Sequence, residues 1–143
     1  MPAAIAALRA NGLRVSTARR VVLEALFAAG GPATAEQLAS GLDGRAPQSD
    51  LASMYRNLDT FEQLGLVRHV HFGHGAGRYV LSARSHGGYV ACARCGAFDE
   101  LEDGALDALR RAVRAHTSYE VGFTHFPVVG LCAGCVASDA SRA

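Results

Sequence analysis

The sequence contains no lysine; all 14 of its basic side chains are arginine. It has no uninterrupted apolar run near the roughly 20 residues a membrane-spanning helix needs, which excludes such a helix. The amino terminus carries no series of basic segment, apolar segment and cleavage site, so no secretory leader is expected. Together these absences predict a soluble, cytoplasmic protein with no membrane partner. Charged residues are only 19% of the chain and hydrophobic residues 50%, which excludes a disordered or fibrous chain and supplies enough apolar material for a core. At 143 residues the chain is one ordinary domain or two small ones packed together. No internal repeat or low-complexity linker is present.

Charge is unevenly spread. Residues 1–84 carry nine arginines and six acids, a net +3, while residues 85–143 carry five arginines and seven acids, a net −2. This asymmetry points to two functional halves. Arg9, Arg14, Arg19 and Arg20 stand within the first 20 residues with no Asp or Glu among them. Such a local field attracts polyanions, although a solvated helix face has the same composition.

The first half has helical periodicity. Ala3 to Ala10 is alanine-rich and stops at Asn11-Gly12. Ser16 or Thr17 can cap a second helix, with Val21, Val22, Leu23, Leu26 and Phe27 at helical spacing, which breaks at Gly30-Gly31-Pro32. Thr34 and Gln37 form a capping box for a short third helix through Leu42. Residues 49–64 give a fourth, with Leu51, Met54, Tyr55, Leu58, Phe61 and Leu64 on helical spacing and Gly65 as its stop. The period then changes: Leu66 to Phe72 and Arg78 to Leu81 are strand-like, joined by Gly73-His74-Gly75-Ala76-Gly77. Helices followed by a two-stranded hairpin form the winged helix-turn-helix pattern, in which the helix before the hairpin enters the DNA major groove.

The second half is smaller and mixed, so the fold class is α+β. Tyr89 to Cys92 and Ala97 to Leu101 read as strands around a Cys turn. Asp103 caps a helix of about a dozen residues carrying Leu106, Leu109 and Val113. Tyr119 to Val129 returns to strand character, before a Cys turn and a small-residue tail expected to fray. Residues 82–88 are the best boundary, giving a DNA-binding domain over 1–83 and a dimerisation and metal-binding domain over 84–143.

All four cysteines fall into two pairs, Cys92-Ala-Arg-Cys95 and Cys132-Ala-Gly-Cys135, separated by 36 residues. Each Cys-x-x-Cys turn supplies one edge of a tetrahedron, and the two together complete a zinc site; disulfides or a thioredoxin-type redox turn are the alternative. Four thiolates leave no open coordination position, so this zinc is expected to be structural, a staple for a domain too small to hold itself together.

Leu51-Ala-Ser53-Met-Tyr55-Arg56-Asn-Leu58, then Gly65-Leu66-Val67, then the two Cys-x-x-Cys turns with Gly130-Leu131 before the second, resemble the ferric uptake regulator (Fur) family of bacterial metal-dependent repressors. The resemblance runs from about Leu8 to Cys135. It implies an N-terminal winged-helix domain, a small C-terminal α/β dimerisation domain, and a homodimer that binds a palindromic double-stranded operator when loaded with a regulatory metal. It also implies that Ser53, Tyr55 and Arg56 lie on the recognition helix, and that Arg20 belongs to a helix start of Thr-Pro-x-Arg type, here Thr17-Ala-Arg19-Arg20. Tyr55 is expected to meet a thymine methyl and Arg56 a guanine edge or a phosphate, while Arg14, Arg19 and Arg20 contact phosphates.

The chain departs from the family at the hinge. Most members carry a histidine run ending three residues before the first Cys; here the run reads Ser85-His86-Gly87-Gly88-Tyr89-Val90-Ala91-Cys92. Only His86 survives, at a position that is not the principal ligand, and the usual N-terminal contributor is Pro32, which cannot ligate. A different histidine set remains. His69 and His71 alternate on a strand, so both imidazoles leave one face and can share a metal. With His125 they resemble the three-histidine site of the nickel-responsive branch. Imidazole suits nickel, zinc, copper and iron alike, so ligand chemistry alone does not choose; the resemblance favours nickel as the regulatory metal, with zinc or iron possible. His74 in the turn and His116 near a helix end are read as non-ligands.

These residues predict a nickel-dependent repressor, with a peroxide-sensing or metal-independent regulator of the same family as the alternative. Three histidines and a water also form a catalytic zinc pattern, but no general base stands beside them, so the chain is read as a non-enzyme.

Overall fold

The computed structural model describes residues 1–140 apart from His74, Ser85, His86 and Thr124. Those positions carried the turn histidine and the surviving hinge histidine of the sequence reading, which therefore lie outside the described residues. Contacts divide the chain into two compact units, Met1–His69 with Gly77–Ser85 and Val70–Ala76 with His86–Ala143. The tip of the hairpin thus clusters with the second unit.

The first unit is helical with a small sheet. Helix α1 is Pro2–Ala10 and α2 is Thr17–Ala29, the latter capped by Ser16, whose side chain accepts from the Arg19 N–H. A two-residue strand β1, Ala33–Thr34, leads into α3, Ala35–Ala39. The capping box forms as the spacing predicts: Thr34 Oγ1 accepts from the Gln37 N–H at 3.2 Å and Gln37 Oε1 accepts from the Thr34 N–H at 2.9 Å. Helix α3 stops at Ala39 rather than Leu42, because Gly41, Leu42, Asp43 and Gly44 all have positive φ, a left-handed turn that no helix can continue through. Helix α4, Leu51–Gln63, is capped by the Asp50 carboxylate on the Ser53 N–H at 2.7 Å. Strands β2, Val67–Val70, and β3, Arg78–Leu81, complete a sheet in the order β1-β3-β2. β2 is shorter at both ends than the apolar run suggested.

The helices pack on one core. Leu8, Val22, Leu23, Leu38, Met54, Leu58 and Phe61 are fully buried there, with Tyr79 and Leu81 from β3 closing one side. A 3-10 turn, Ser82–Arg84, returns the chain to α2, where the Arg84 guanidinium donates to the Phe27 carbonyl and lies over the Phe27 ring.

The second unit is built on strands β4, Gly88–Cys92, β5, Phe98–Leu101, and β6, Val128–Gly130, in the order β5-β4-β6. β5 is antiparallel to β4, with Val90 opposite Asp99, and β6 is parallel to it, with Ala91 opposite Val129. Helix α5, Asp103–His116, has Glu102 at its N-cap with no side-chain cap bond, so Asp103 is its first residue and not its cap. The strand expected over Tyr119 to Val129 contracts to β6, and the tail expected to fray forms helix α6, Ala133–Ala140. Phe72, at the hairpin tip, joins Tyr89 and Phe98 in an aromatic cluster with ring centroids 4.4–6.1 Å apart. Among the described residues no helix is long and apolar enough to cross a membrane.

Candidate nucleic-acid interface and metal centre

The two faces of α4 differ sharply. Met54, Leu58 and Phe61, at i, i+4 and i+7, are fully buried and fix the helix to α2 and α3. Leu51 and Tyr55, one turn apart, remain 41% and 39% exposed, and Arg56 stands beside them in solvent. A helix with one side anchored and the other presenting an aromatic ring and a guanidinium has the form of a groove-reading element. Ser53 is half-buried, with its N–H taken by Asp50 and its carbonyl accepting from Asn57. Its place is in the first turn of the helix.

Tyr55 is not loose. Its hydroxyl donates to Glu36 Oε1 at 2.8 Å, tying α4 to α3. This bond holds the Glu36 carboxyl below its ordinary range and the Tyr55 phenol above its own. Sequence reasoning missed Glu36, because an acid in the first turn of a capped helix needs no further explanation. The arginines preceding the interface divide. Arg14 and Arg20 are exposed, while Arg19 turns its Nη1 onto the Arg14 carbonyl and so holds the entry to α2.

The four cysteines come together in the second unit. Their ligand atoms all lie within 4.8 Å of one another, Cys92 at the end of β4, Cys95 in the following turn, and Cys132 and Cys135 at the start of α6. Cys95 Sγ lies 3.7 Å from Cys132 Sγ, close to the tetrahedral edge of about 3.8 Å that zinc–sulfur bonds of about 2.3 Å require. The backbone brings the pairs together: β6 runs beside β4, and the Ala93 N–H donates to the Gly130 carbonyl at 2.8 Å. Arg94, between the first two cysteines, donates to the Cys135 carbonyl at 3.0 Å and clamps the second turn to the first.

The thiols differ in acidity. Cys92 is lowered to about 5, its sulfur accepting backbone N–H groups of Cys95, Cys132 and Arg94. Cys135 is pushed up to about 12, first by hydrogen bonding to Cys132 and then by loss of solvent. The donor set and its spacing fit a tetrahedral divalent metal with no open position, which suits zinc.

The histidines are distributed between the units. In the second unit, the His71 N–H donates to the His125 carbonyl at 3.2 Å, and the two rings meet edge to face with centroids 5.1 Å apart. Phe126 packs against both. In the first unit, the His69 ring stacks flat on Tyr79, with centroids 4.5 Å apart and an interplanar angle of 1°. Gly77 makes this possible, since a Cβ there would sit 1.8 Å from His69 Nε2. Tyr79 itself is buried, and its phenol is pushed up to about 12 by that burial and by the nearby acids Asp59, Glu62 and Glu36.

Known proteins resemble this one over nearly its whole length. The peroxide-responsive repressor PerR of Staphylococcus saprophyticus is 28% identical over 131 residues, spanning 92% of this chain and 88% of that protein. Among solved structures, the ferric uptake regulator of Vibrio cholerae superposes with a TM-score of 0.68 at 28% identity, covering 90% of this chain and 98% of that one. The Pseudomonas aeruginosa ferric uptake regulator, solved with manganese, gives a TM-score of 0.68 at 25% identity over 88% of this chain and 95% of its own. Residues 10–125 match the ferric uptake regulator family, and the chain belongs to that family.

Proposed function

We propose that this protein is a metal-dependent transcriptional repressor that binds a palindromic operator as a homodimer, with α4 in the major groove. Proteins of its family are metal-responsive transcriptional regulators that bind operator DNA as dimers. The observation that carries the reading for this chain is the two-faced α4, anchored through Met54, Leu58 and Phe61 and open at Tyr55 and Arg56. In this reading Ser53, Tyr55 and Arg56 meet the groove, and Arg14, Arg19 and Arg20 contact the phosphates on either side. The second unit supplies the dimer surface. Of the large hydrophobic side chains exposed among the described residues, Tyr119, Phe126, Val129, Leu131 and Val136 all belong to it.

Cys92, Cys95, Cys132 and Cys135 hold a structural zinc, which fixes the two Cys turns to one sheet edge. The regulatory ligands are His69, His71 and His125, with nickel favoured and zinc or iron as alternatives. The juxtaposed rings of His71 and His125 support the assignment of that pair. Imidazole nitrogens without thiolate suit a metal that binds reversibly, and occupancy would shift the population of the DNA-competent state rather than perform chemistry.

The test is elemental analysis of purified protein, followed by selection of duplexes from a random library with and without each metal. Retention of an inverted repeat that depends on a second metal supports the reading. Loss of that dependence in a His71→Ala, His125→Ala double variant assigns the ligands, whereas an unchanged metal response removes them.

A second reading is a peroxide-responsive repressor, favoured by the staphylococcal relatives that carry that description. It requires oxidation at a metal-bound histidine. Mass spectrometry of iron-loaded protein after hydrogen peroxide treatment separates the two: an oxygen added to a His71 or His125 peptide supports the second reading, and unmodified peptides remove it.

A further inference from the structure

The bond from the Tyr55 hydroxyl to Glu36 constrains what Tyr55 can say to DNA. A phenol has one proton to donate. Here that proton points at Oε1 of Glu36, 2.8 Å away, so the oxygen has only lone pairs left and the ring offers an apolar edge. The acceptor is well held: Glu36 lies in the first turn of α3, whose start is locked by the reciprocal Thr34 and Gln37 bonds. Tyr55 projects from the exposed face of α4, so its ring and oxygen remain available to a partner.

We propose that Glu36 is a specificity-determining positioning residue that makes Tyr55 an acceptor-and-apolar reader of an A·T pair. The proposal rests on the reading that α4 enters the groove. In the major groove an A·T pair presents the thymine methyl next to the adenine N6 amino donor. The ring edge meets the first and the Tyr55 oxygen accepts from the second. A guanine in place of the adenine would turn O6 and N7, both acceptors, toward an oxygen and a carboxylate whose one shared proton is already committed between them. The same logic keeps Tyr55 off the backbone, since a hydroxyl whose one proton is engaged by Glu36 cannot also donate it to a phosphate. Glu36 also brings a negative charge to a surface that must approach phosphates. It therefore lowers affinity for every sequence while raising discrimination at one base pair.

The experiment uses full-length, metal-loaded protein and the duplex selected by the native chain, together with a duplex set in which each A·T pair is changed in turn to G·C. Fluorescence anisotropy at fixed salt is read for the native protein and for Glu36→Ala, Glu36→Gln, Tyr55→Phe and Tyr55→Ala. Glu36→Ala and Tyr55→Phe are expected to lose the same preference, about tenfold at one A·T position, with no further loss when combined. Glu36→Gln keeps a carbonyl that accepts the same proton, so it should retain the preference while binding all duplexes more tightly. NMR titration of the Tyr55 phenol in the free protein should show its high midpoint fall in Glu36→Ala, which reports the bond without DNA.

Full preference in Glu36→Ala, with loss in Tyr55→Phe, overturns the positioning role and leaves the α4 interface standing. A Tyr55→Ala variant that keeps its operator preference overturns both. A phenol midpoint that does not respond to Glu36→Ala overturns the proposal at its geometric root.

Discussion

The turn between α3 and α4 decides where the reading helix starts, and a matched pair of glycine substitutions measures how firmly. Gly41 and Gly44 both have left-handed backbone, φ +84 and +86. Alanine at either position meets the left-handed penalty of about 1 kcal/mol. At Gly44 a Cβ would meet nothing within 4 Å, so that penalty is the whole cost. At Gly41 the Cβ would lie 2.6 Å from the Ala46 carbonyl oxygen and 3.2 Å from Gln48 Cγ. Backbone cannot swing aside as a side chain can, so the 41–46 loop must open, straining the 3.0 Å bond from the Ala46 N–H to the Gly41 carbonyl. A strained or lost backbone bond adds about 1 kcal/mol and the displaced packing a comparable amount, for a total of roughly 3 kcal/mol. The loop also carries the Ser49 N–H that donates to the Ala39 carbonyl at 2.9 Å, immediately before the Asp50 cap of α4. Gly41→Ala should therefore weaken operator binding as well as stability. Urea unfolding at fixed protein and zinc concentration gives the midpoints, compared at unchanged slope. Two variants within about 0.5 kcal/mol of each other would refute the argument, because the conformational term is common to both and only the contact differs.

Four further outcomes follow from the geometry of the chain. Cys135→Ser should remove the zinc and unfold the second unit, since a neutral serine hydroxyl is a poor zinc ligand and cannot complete the tetrahedron; zinc retained at one per chain with an unchanged fold would contradict this. Gly77→Ala should drive the His69 ring off Tyr79, costing about 1 kcal/mol and changing the ring-current shifts of His69 in NMR spectra, whereas unchanged shifts would show that the chain accommodates the Cβ elsewhere. Arg20→Ala should weaken all duplexes alike and flatten the salt slope by about one. Arg19→Ala should in addition lower thermal stability, because its guanidinium holds the Arg14 carbonyl, and equal stability in the two variants would remove that distinction.

The first unit was legible because its signals are local. The Thr34 and Gln37 capping box, the Ser16 cap, the buried stripe Met54, Leu58 and Phe61 and the strand over 78–81 are each encoded within a few residues, and each forms as read. The left-handed run at 41–44 escaped because Leu42 and Asp43 carry no preference for positive φ; the conformation is imposed by burying Leu42 while the loop turns back to Ala46. The second unit was harder to read. The stretch over 119–129 suggests a strand, but among the described residues only Val128–Gly130 forms one there, and its partner strand, β4, lies almost 40 residues back and parallel. The residue types of the candidate site were similarly visible, while their partners were not. Tyr55 and Glu36 are 19 residues apart with no shared periodicity, so their bond exists only once α3 and α4 have packed.

The two units also differ in how they meet the cost of ordering a chain. Among the described residues, eight of the ten largest fully buried side chains belong to the first unit, which has a core that helices can close by themselves. The second unit contributes only Val70 and Leu106 to that set, with Tyr89 and Phe98 around the inserted Phe72. Along α5 only Leu106 is buried, so a helix of 14 residues is held to its own unit by very little. A core that thin does not offset the conformational entropy of some sixty residues. Two contributions can close the gap. In the proposed reading a tetrathiolate metal would join the β4 turn to the start of α6, and a second copy of the chain would cover the exposed Tyr119, Val129 and Leu131. Both act on the same sheet edge, because Cys132 follows directly on Leu131 and β6. The metal therefore stabilises the surface that dimerisation needs, and loss of zinc is expected to remove the dimer while leaving each first unit folded but unable to span two half-sites.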